Sequence, residues 1–488
     1  MWTEIKPTRR EFLKSQVMGL GGVAASWLLA QDGYASDPVK PTLERPTFDL
    51  TPKDPPAEPS AQAMISIFTS GGPSQMDLFD PKPELDKRHG TSFDGDMKMD
   101  SSAMTARNSR ELLGCKWKFR RYGQSGIEMS ELLPHIGGIA DDITLIRSMQ
   151  TFNSSHVPAM HLINTGRPRA GRPSLGSWIT YALGSANQNL PAFVVLTEDG
   201  GLPINGEGNW SNGFIPSIYQ GTVIRPREPR ILDLDAPAHL RGRGQREWLN
   251  FLNQFNREHL KTHPGENDLE ARIASYELAA RMQIAAKEAL DFSGESDATK
   301  RLYGLDHETT RDFGTRCLIA RRLVERGVRF VQIHNAYQAW DHHSDIHGRL
   351  PEMCAKTDKP SAALVTDLKS RGLLDSTLVH WGGEMGRLPV IEKQKPIGRD
   401  HNPYGFSTWL AGGGVKAGHI HGVTDELGFR AIQDPVTHFD YHATLLHLFG
   451  LDHSELKFER STRAESLTDG QLAKVVNGIL KHPPRLKC

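Results

Sequence analysis

Cysteine is scarce in this chain and dispersed. Its four cysteines, Cys115, Cys317, Cys354 and Cys488, form no Cys-x-x-Cys pair across 488 residues. That excludes a zinc knuckle and a disulfide-knitted scaffold as organising principles, and the spacings favour no single disulfide pair. Cys317 lies within a helical pattern that precedes a strand, and reads as a small core residue. An excess of charge is also missing, since 58 Lys and Arg balance 58 Asp and Glu. No basic stripe runs along any predicted element, so nucleic acid is excluded as the main partner. No internal repeat is present, and beyond the N-terminal segment no apolar run is long enough to span a bilayer.

Histidine is abundant instead: 21 residues, clustered late in the chain. This composition favours metal or acid–base chemistry. The N-terminus is more specific. "TRREFLKS", Thr8 to Ser15, carries the paired arginines, Phe and Leu of a twin-arginine export signal. An apolar Gly/Ala-rich stretch follows from Val17 to Ala30 and has no polar face. It is short for a membrane span and reads as the apolar region of a signal peptide cleaved near Ala35, which predicts a periplasmic or extracellular protein.

Residues 36–60 are proline-rich and polar and read as a tether. Residues 61–488 read as one large domain. Strands are expected at Met64–Phe68, Thr144–Ile146, Ala192–Leu196, Val328–Ile333, Thr377–Trp381 and Phe406–Leu410, with Gly412–Gly414 as the turn that ends the last. Helical spacing is expected over Arg311–Arg326, Ser361–Arg371, "DYHATLLHLFGL" and "SLTDGQLAKVVNGIL". Strands alternating with helices predict an α/β fold: a doubly wound, mainly parallel sheet with helices on both faces. Residues 201–306 break the rhythm with Gly/Pro/Asn-rich loops and a polar helical stretch from Gln245 to Phe292. They are expected as an insertion at one sheet edge, in the place of a lid.

Ligands of open α/β sheets gather at the carboxyl ends of the strands. After the first strand come Ser70, Ser74, Asp77 and Asp80. After Val328–Ile333 comes "HNAYQAWDHHSDIHG", with His334, Asp341, His342, His343, Asp345 and His347. Glu384 and Arg387 follow Thr377–Trp381, and His401 lies in "GRDHNP". Carboxylates and imidazoles from four loops on one edge are a donor set for zinc, manganese or a related divalent ion. Simpler readings stand beside these. Asp80 precedes Pro81 and reads as a turn cap, Glu384 can pair with Arg387, and the "DHHSDIH" run can be a solvated loop. In "TFNSSHVPAMHLINTGR", Thr151 to Arg167, a polar loop enters a helix whose N-terminus could seat a phosphate or sulfate, or be capped by Ser154 or Ser155.

The runs "GGPSQMDLFDPKP", "WDHHSD", "GGEMGRLPV", "GRDHNP" and "LAGGGVKAGHIHGVTDELG" resemble the bacterial family designated DUF1501, which looks like a branch of the alkaline phosphatase and sulfatase superfamily. The resemblance implies a metal-dependent hydrolase of phosphate or sulfate esters, acting on a small-molecule or glycan ester. It implies one or two divalent ions held by Asp341, His343, Glu384 and His401, with Asp77 as a further ligand. It also implies that His156 acts as nucleophile or base and that Arg167 or Arg387 holds the anion. Three departures are visible. His156 stands where the superfamily has Ser, Thr or Cys; Ser70 replaces an acidic residue; and Met385 follows Glu384 where a histidine is usual. They keep open a second reading, a non-catalytic metal- or glycan-binding protein on the same fold.

Overall fold

The computed structural model describes residues 48–95, 108–232, 234–237, 242–262, 267–392, 395–460 and 463–482. The signal peptide expected at 1–35 and residues 36–47 of the tether lie outside the described residues. Nine strands form the central sheet: β1 (Ala63–Phe68), β2 (Ile143–Gln150), β3 (Phe193–Leu196), β4 (Thr222–Ile224), β5 (Phe330–His334), β6 (Thr377–Gly382), β7 (Phe406–Ala411), β8 (His419–His421) and β9 (Val436–Thr437). Their order is β8-β2-β7-β6-β1-β5-β3-β4, with β9 also paired to β2. Within the run β6-β1-β5-β3-β4 every pairing is parallel; β7 runs antiparallel to both β6 and β2.

All six strands expected from sequence are present. Their period-two alternation explains how the sheet is buried on both faces. Ile65 and Ile67 point to one face, with Val331, Ile333, Val379 and Trp381. There they meet α5 (Glu308–Glu325) and α6 (Ile346–Ser370) through residues such as Leu318, Leu323, Leu364 and Leu368. Met64 and Phe68 point to the other face and meet α1 (His156–Thr165), α2 (Leu175–Leu183) and α7 (His438–Leu448). Each fully buried aliphatic or aromatic side chain contributes about 1.5–3 kcal/mol. The fold is thus α/β, doubly wound and mainly parallel.

Three expectations are corrected. Residues 48–60 are not a free tether: Phe48 and Leu50 are buried in the core, and the Ala57 and Ser60 N–H groups donate to the carbonyls of Gly450 and Leu448. The helix expected at Ser361–Arg371 starts much earlier, at Ile346, and runs through Pro351 and Pro360. The stretch "SLTDGQLAKVVNGIL" forms one short 3-10 turn, Asn477–Ile479. Its backbone is claimed by α7: the Lys474 N–H donates to Asp440 and the Val476 N–H to Thr444.

The insertion supplies β4, the edge strand farthest from β2, and two helices, α3 (Arg243–Thr262) and α4 (Asn267–Leu290). Leu278, Met282, Ala286 and Leu290 of α4 join the α5/α6 side of the core. The helical part therefore packs on the α5/α6 side of the sheet. Its opening loop reaches α1, where Asn205 Nδ2 donates to the Val157 carbonyl.

Candidate metal centre

Each predicted loop leaves or enters the sheet on the same edge. α1 begins at His156, just past the end of β2, and Asp341 and His343 follow β5. Glu384 follows β6. His401 arrives differently from the expected turn: it sits on a strand, Arg399–Asn402, paired with Gly386–Glu392 in a small antiparallel sheet. That strand leads into β7, and because β7 is reversed, its beginning rather than its end lies at the shared edge.

One ligand atom each from His156, Asp341, His343 and His401 lies within 4.8 Å of the others. The three imidazoles are oriented alike. His156 Nδ1 is 2.6 Å from Glu384 Oε1, His343 Nδ1 is 2.6 Å from Glu392 Oε2, and His401 Nδ1 is 2.7 Å from the Ser154 carbonyl. A carbonyl or carboxylate oxygen only accepts, so each Nδ1 carries the proton and each Nε2 of a neutral ring offers a lone pair. These Nε2 atoms converge on Asp341: His343 Nε2 and His401 Nε2 lie 3.1 and 3.2 Å from Oδ1, and His156 Nε2 lies 3.4 Å from Oδ2. His156 Nε2 is buried and has no hydrogen-bond partner among the described residues. Lone pairs aimed at a carboxylate repel it, and a cation between them reverses the sign of the interaction.

The electrostatics agree. Burial opposes a charge on His156, but Asp341 and Glu384 outweigh it and raise its pKa to about 9. Burial lowers the pKa of His401 to about 3. Burial would raise Asp341; the Arg387 guanidinium, with His156 and His401, holds its carboxyl well below the usual carboxylate range. In the absence of a metal, a proton on His156 serves as the cation between two carboxylates.

Glu384 is thus placed behind a donor rather than among the donors. It is fully buried, accepts the Gly71 N–H at 2.9 and 3.2 Å, and orients His156. Carboxylates that hold the far nitrogen of a metal-binding histidine raise its basicity and lock its ring. Gly71 has φ +113, and a Cβ there would meet the Asp341 nitrogen at 2.6 Å, so only glycine lets the two loops approach.

Asp77 lies outside the cluster, and its carboxylate is taken up elsewhere. Arg399 Nε and Nη2 hold it at 2.8 and 3.1 Å, and Ser74 Oγ donates at 2.5 Å. Arg387 is fully buried with its donors committed: Nε to the Gly72 carbonyl (2.9 Å), Nη1 to the Arg399 carbonyl (3.0 Å), and Nη2 to the Gly71 and Trp340 carbonyls and to Asp341 Oδ1 (2.6 Å). It braces the loops and is not free to hold a substrate anion. Arg167 sits at the far end of α1, about 15 Å along the helix from His156. There it pairs with Asp469 at 2.5 Å. Glu392, the Ser154 carbonyl and Asp400, which accepts the His401 N–H at 2.7 Å, were not anticipated. Asp400 stands beside His401 in "GRDHNP" and Glu392 lies well past the loop of Glu384, and no spacing in the sequence assigns either a role at the imidazoles.

No curated protein matches the chain in sequence. Among solved structures it is similar to the lipoteichoic acid synthase LtaP from Listeria monocytogenes (TM-score 0.33, 10% identity, 81% of this chain and 73% of that one). It is also similar to the PsFucS1 sulfatase from Pseudoalteromonas sp. (0.34, 13%, 80% and 68%) and to a phosphonate monoester hydrolase from Silicibacter pomeroyi (0.32, 10%, 80% and 73%). Likenesses of this size carry no conclusion about what this chain does. The family DUF1501, described as "Protein of unknown function (DUF1501)", matches residues 61–480, and the chain belongs to that family.

Proposed function

We propose that this protein is an exported, metal-dependent hydrolase of phosphate or sulfate esters. One observation carries the metal: three imidazoles, each donating its Nδ1–H to an oxygen acceptor, direct Nε2 at a single aspartate, and the buried His156 Nε2 has no other partner among the described residues. Three nitrogens and one oxygen suit zinc or manganese. His156, Asp341, His343 and His401 would hold the ion. Bound there, it would supply Lewis acidity to an ester oxygen and lower the pKa of water.

The chain's own groups do the rest. Glu384 and Glu392 keep His156 and His343 in the tautomer that presents Nε2. Arg387 fixes Asp341 and keeps it ionised. The N-terminal turn of α1 opens beside His156, and its N-cap Ser155 makes no side-chain capping bond, so N–H groups and helix dipole favour an anion there. With His156 committed at both nitrogens, no side chain of the cluster is left as nucleophile, and the reaction this favours is direct attack by water.

The decisive experiment is elemental analysis of protein matured through its own export route, followed by a screen of aryl phosphates and sulfates. One equivalent of zinc or manganese, with turnover lost in His401→Ala, supports the reading. Bound metal with no turnover on any ester would instead support the second reading, metal binding without catalysis. That reading is favoured by one feature: the residue at the start of α1 is His156, itself a donor of the cluster, where the sequence resemblance implies Ser, Thr or Cys.

A further inference from the structure

Four large apolar side chains stand exposed on or beside the elements that build the centre: Phe152 (60%), Val157 (45%), Leu202 (44%) and Tyr337 (66%). Val157 follows His156 directly. Phe152 shares a loop with Ser154, whose carbonyl holds His401. Tyr337 lies four residues before Asp341. Its N–H donates to the Leu202 carbonyl at 3.1 Å, and Asn205 of the same loop donates to the Val157 carbonyl at 2.8 Å. Hydrogen bonds therefore stitch these loops into one rim.

Tyr337 is the unusual member. Its φ is +45, a left-handed conformation that strains a bulky residue. Its ring lies against the backbone of Gly201, where a Cβ would come within 2.9 Å of Tyr337 Cζ. Strain and exposure are both unfavourable, and the ring repays neither by entering the core. Three polar side chains of the neighbouring loops are already engaged. Asp199 pairs with Arg227, Glu198 with Lys356 and the Ala336 N–H, and Asn205 Nδ2 with Val157. The four exposed residues offer ring face and aliphatic surface, which suits a flat apolar ring better than a sugar needing many hydrogen bonds.

We propose that Tyr337, with Phe152, Val157 and Leu202, is the recognition surface for an aryl group on the leaving side of the ester. This deepens the hydrolase reading and rests on it. The test is equilibrium binding of phenylphosphonate, methylphosphonate and glucose 6-phosphate to the metal-loaded protein by calorimetry. The proteins are wild type, Tyr337→Asn (asparagine tolerates positive φ) and Phe152→Ser, each checked for metal content. The expected result is phenylphosphonate at least tenfold tighter than either competitor, with that preference reduced to within about twofold in both variants and metal content unchanged. Equal binding of the two phosphonates, tighter binding of the sugar phosphate, or a preference that survives both substitutions overturns the proposal while leaving the hydrolase reading intact. Failure of all three anions to bind the loaded protein overturns both.

Discussion

Glu384 Oε1 lies 2.6 Å from His156 Nδ1 while the same carboxylate accepts the Gly71 N–H, so one buried acid ties the helix after β2 to the loop after β1. Removing its charge while keeping its shape tests its role. Glu384→Gln is expected to weaken metal affinity about 10–100-fold, the usual cost of losing such a partner. Competition with a chromophoric chelator measures it. Unchanged affinity would mean that His156 is not a ligand.

The proton on His156 makes metal binding pH-dependent. With its pKa raised to about 9, His156 is protonated at neutral pH in the metal-free site, and the ion must displace that proton. Affinity is therefore expected to rise about tenfold per pH unit up to about pH 9 and then level off. Calorimetry at pH 7.5 in buffers of different ionisation enthalpy should show one proton released. The metal-free protein should respond in the opposite direction. A raised folded-state pKa contributes stability that is complete below about pH 6.5, the ordinary histidine value, and is lost as pH rises through about 9. Its Tm should fall across that window, and saturating metal should abolish the fall.

Asp77 and Arg399 form a two-pronged ion pair with both side chains almost fully buried. Arg399→Ala strands a carboxylate in the core and is expected to destabilise by about 3–5 kcal/mol. The double variant Arg399→Met, Asp77→Leu should recover much of that loss. Because Arg399 anchors the strand carrying His401, the single variant should also bind metal more weakly. Urea melts and elemental analysis separate the two effects.

Gly71→Ala places a methyl 2.6 Å from the Asp341 nitrogen at φ +113. The expected outcome is a loss of at least about 2 kcal/mol, with metal stoichiometry well below one. Gly126 provides the control, since it also has positive φ (+68) but nothing within 4 Å of the position a Cβ would take. Gly126→Ala should carry only the backbone strain and leave metal content intact.

The six central strands were readable because buried parallel strands appear as short apolar runs between turn residues. The donor loops were readable for a related reason: polar residues directly after such runs have few structural uses. What stayed hidden was the division of labour. Glu384 and Glu392 are the same residue type as a ligand, and only side-chain direction places them behind the imidazoles. His156 is singled out by the family resemblance alone, and its partners lie 185 and 228 residues away. Asp77 and Arg387 sat in the right loops and were absorbed by backbone carbonyls and by Arg399, pairings that no local pattern encodes. The last helical expectation failed because side chains of α7, not the segment itself, hold its N–H groups.

The reversed course of β7 has a consequence for how the protein matures. His401 approaches from the beginning of its strand and meets a carbonyl 247 residues upstream. The four donors span positions 156 to 401, so the centre is complete only when segments far apart in the chain have closed on one another. On the proposed reading, a bound ion would therefore report that these distant segments have come together.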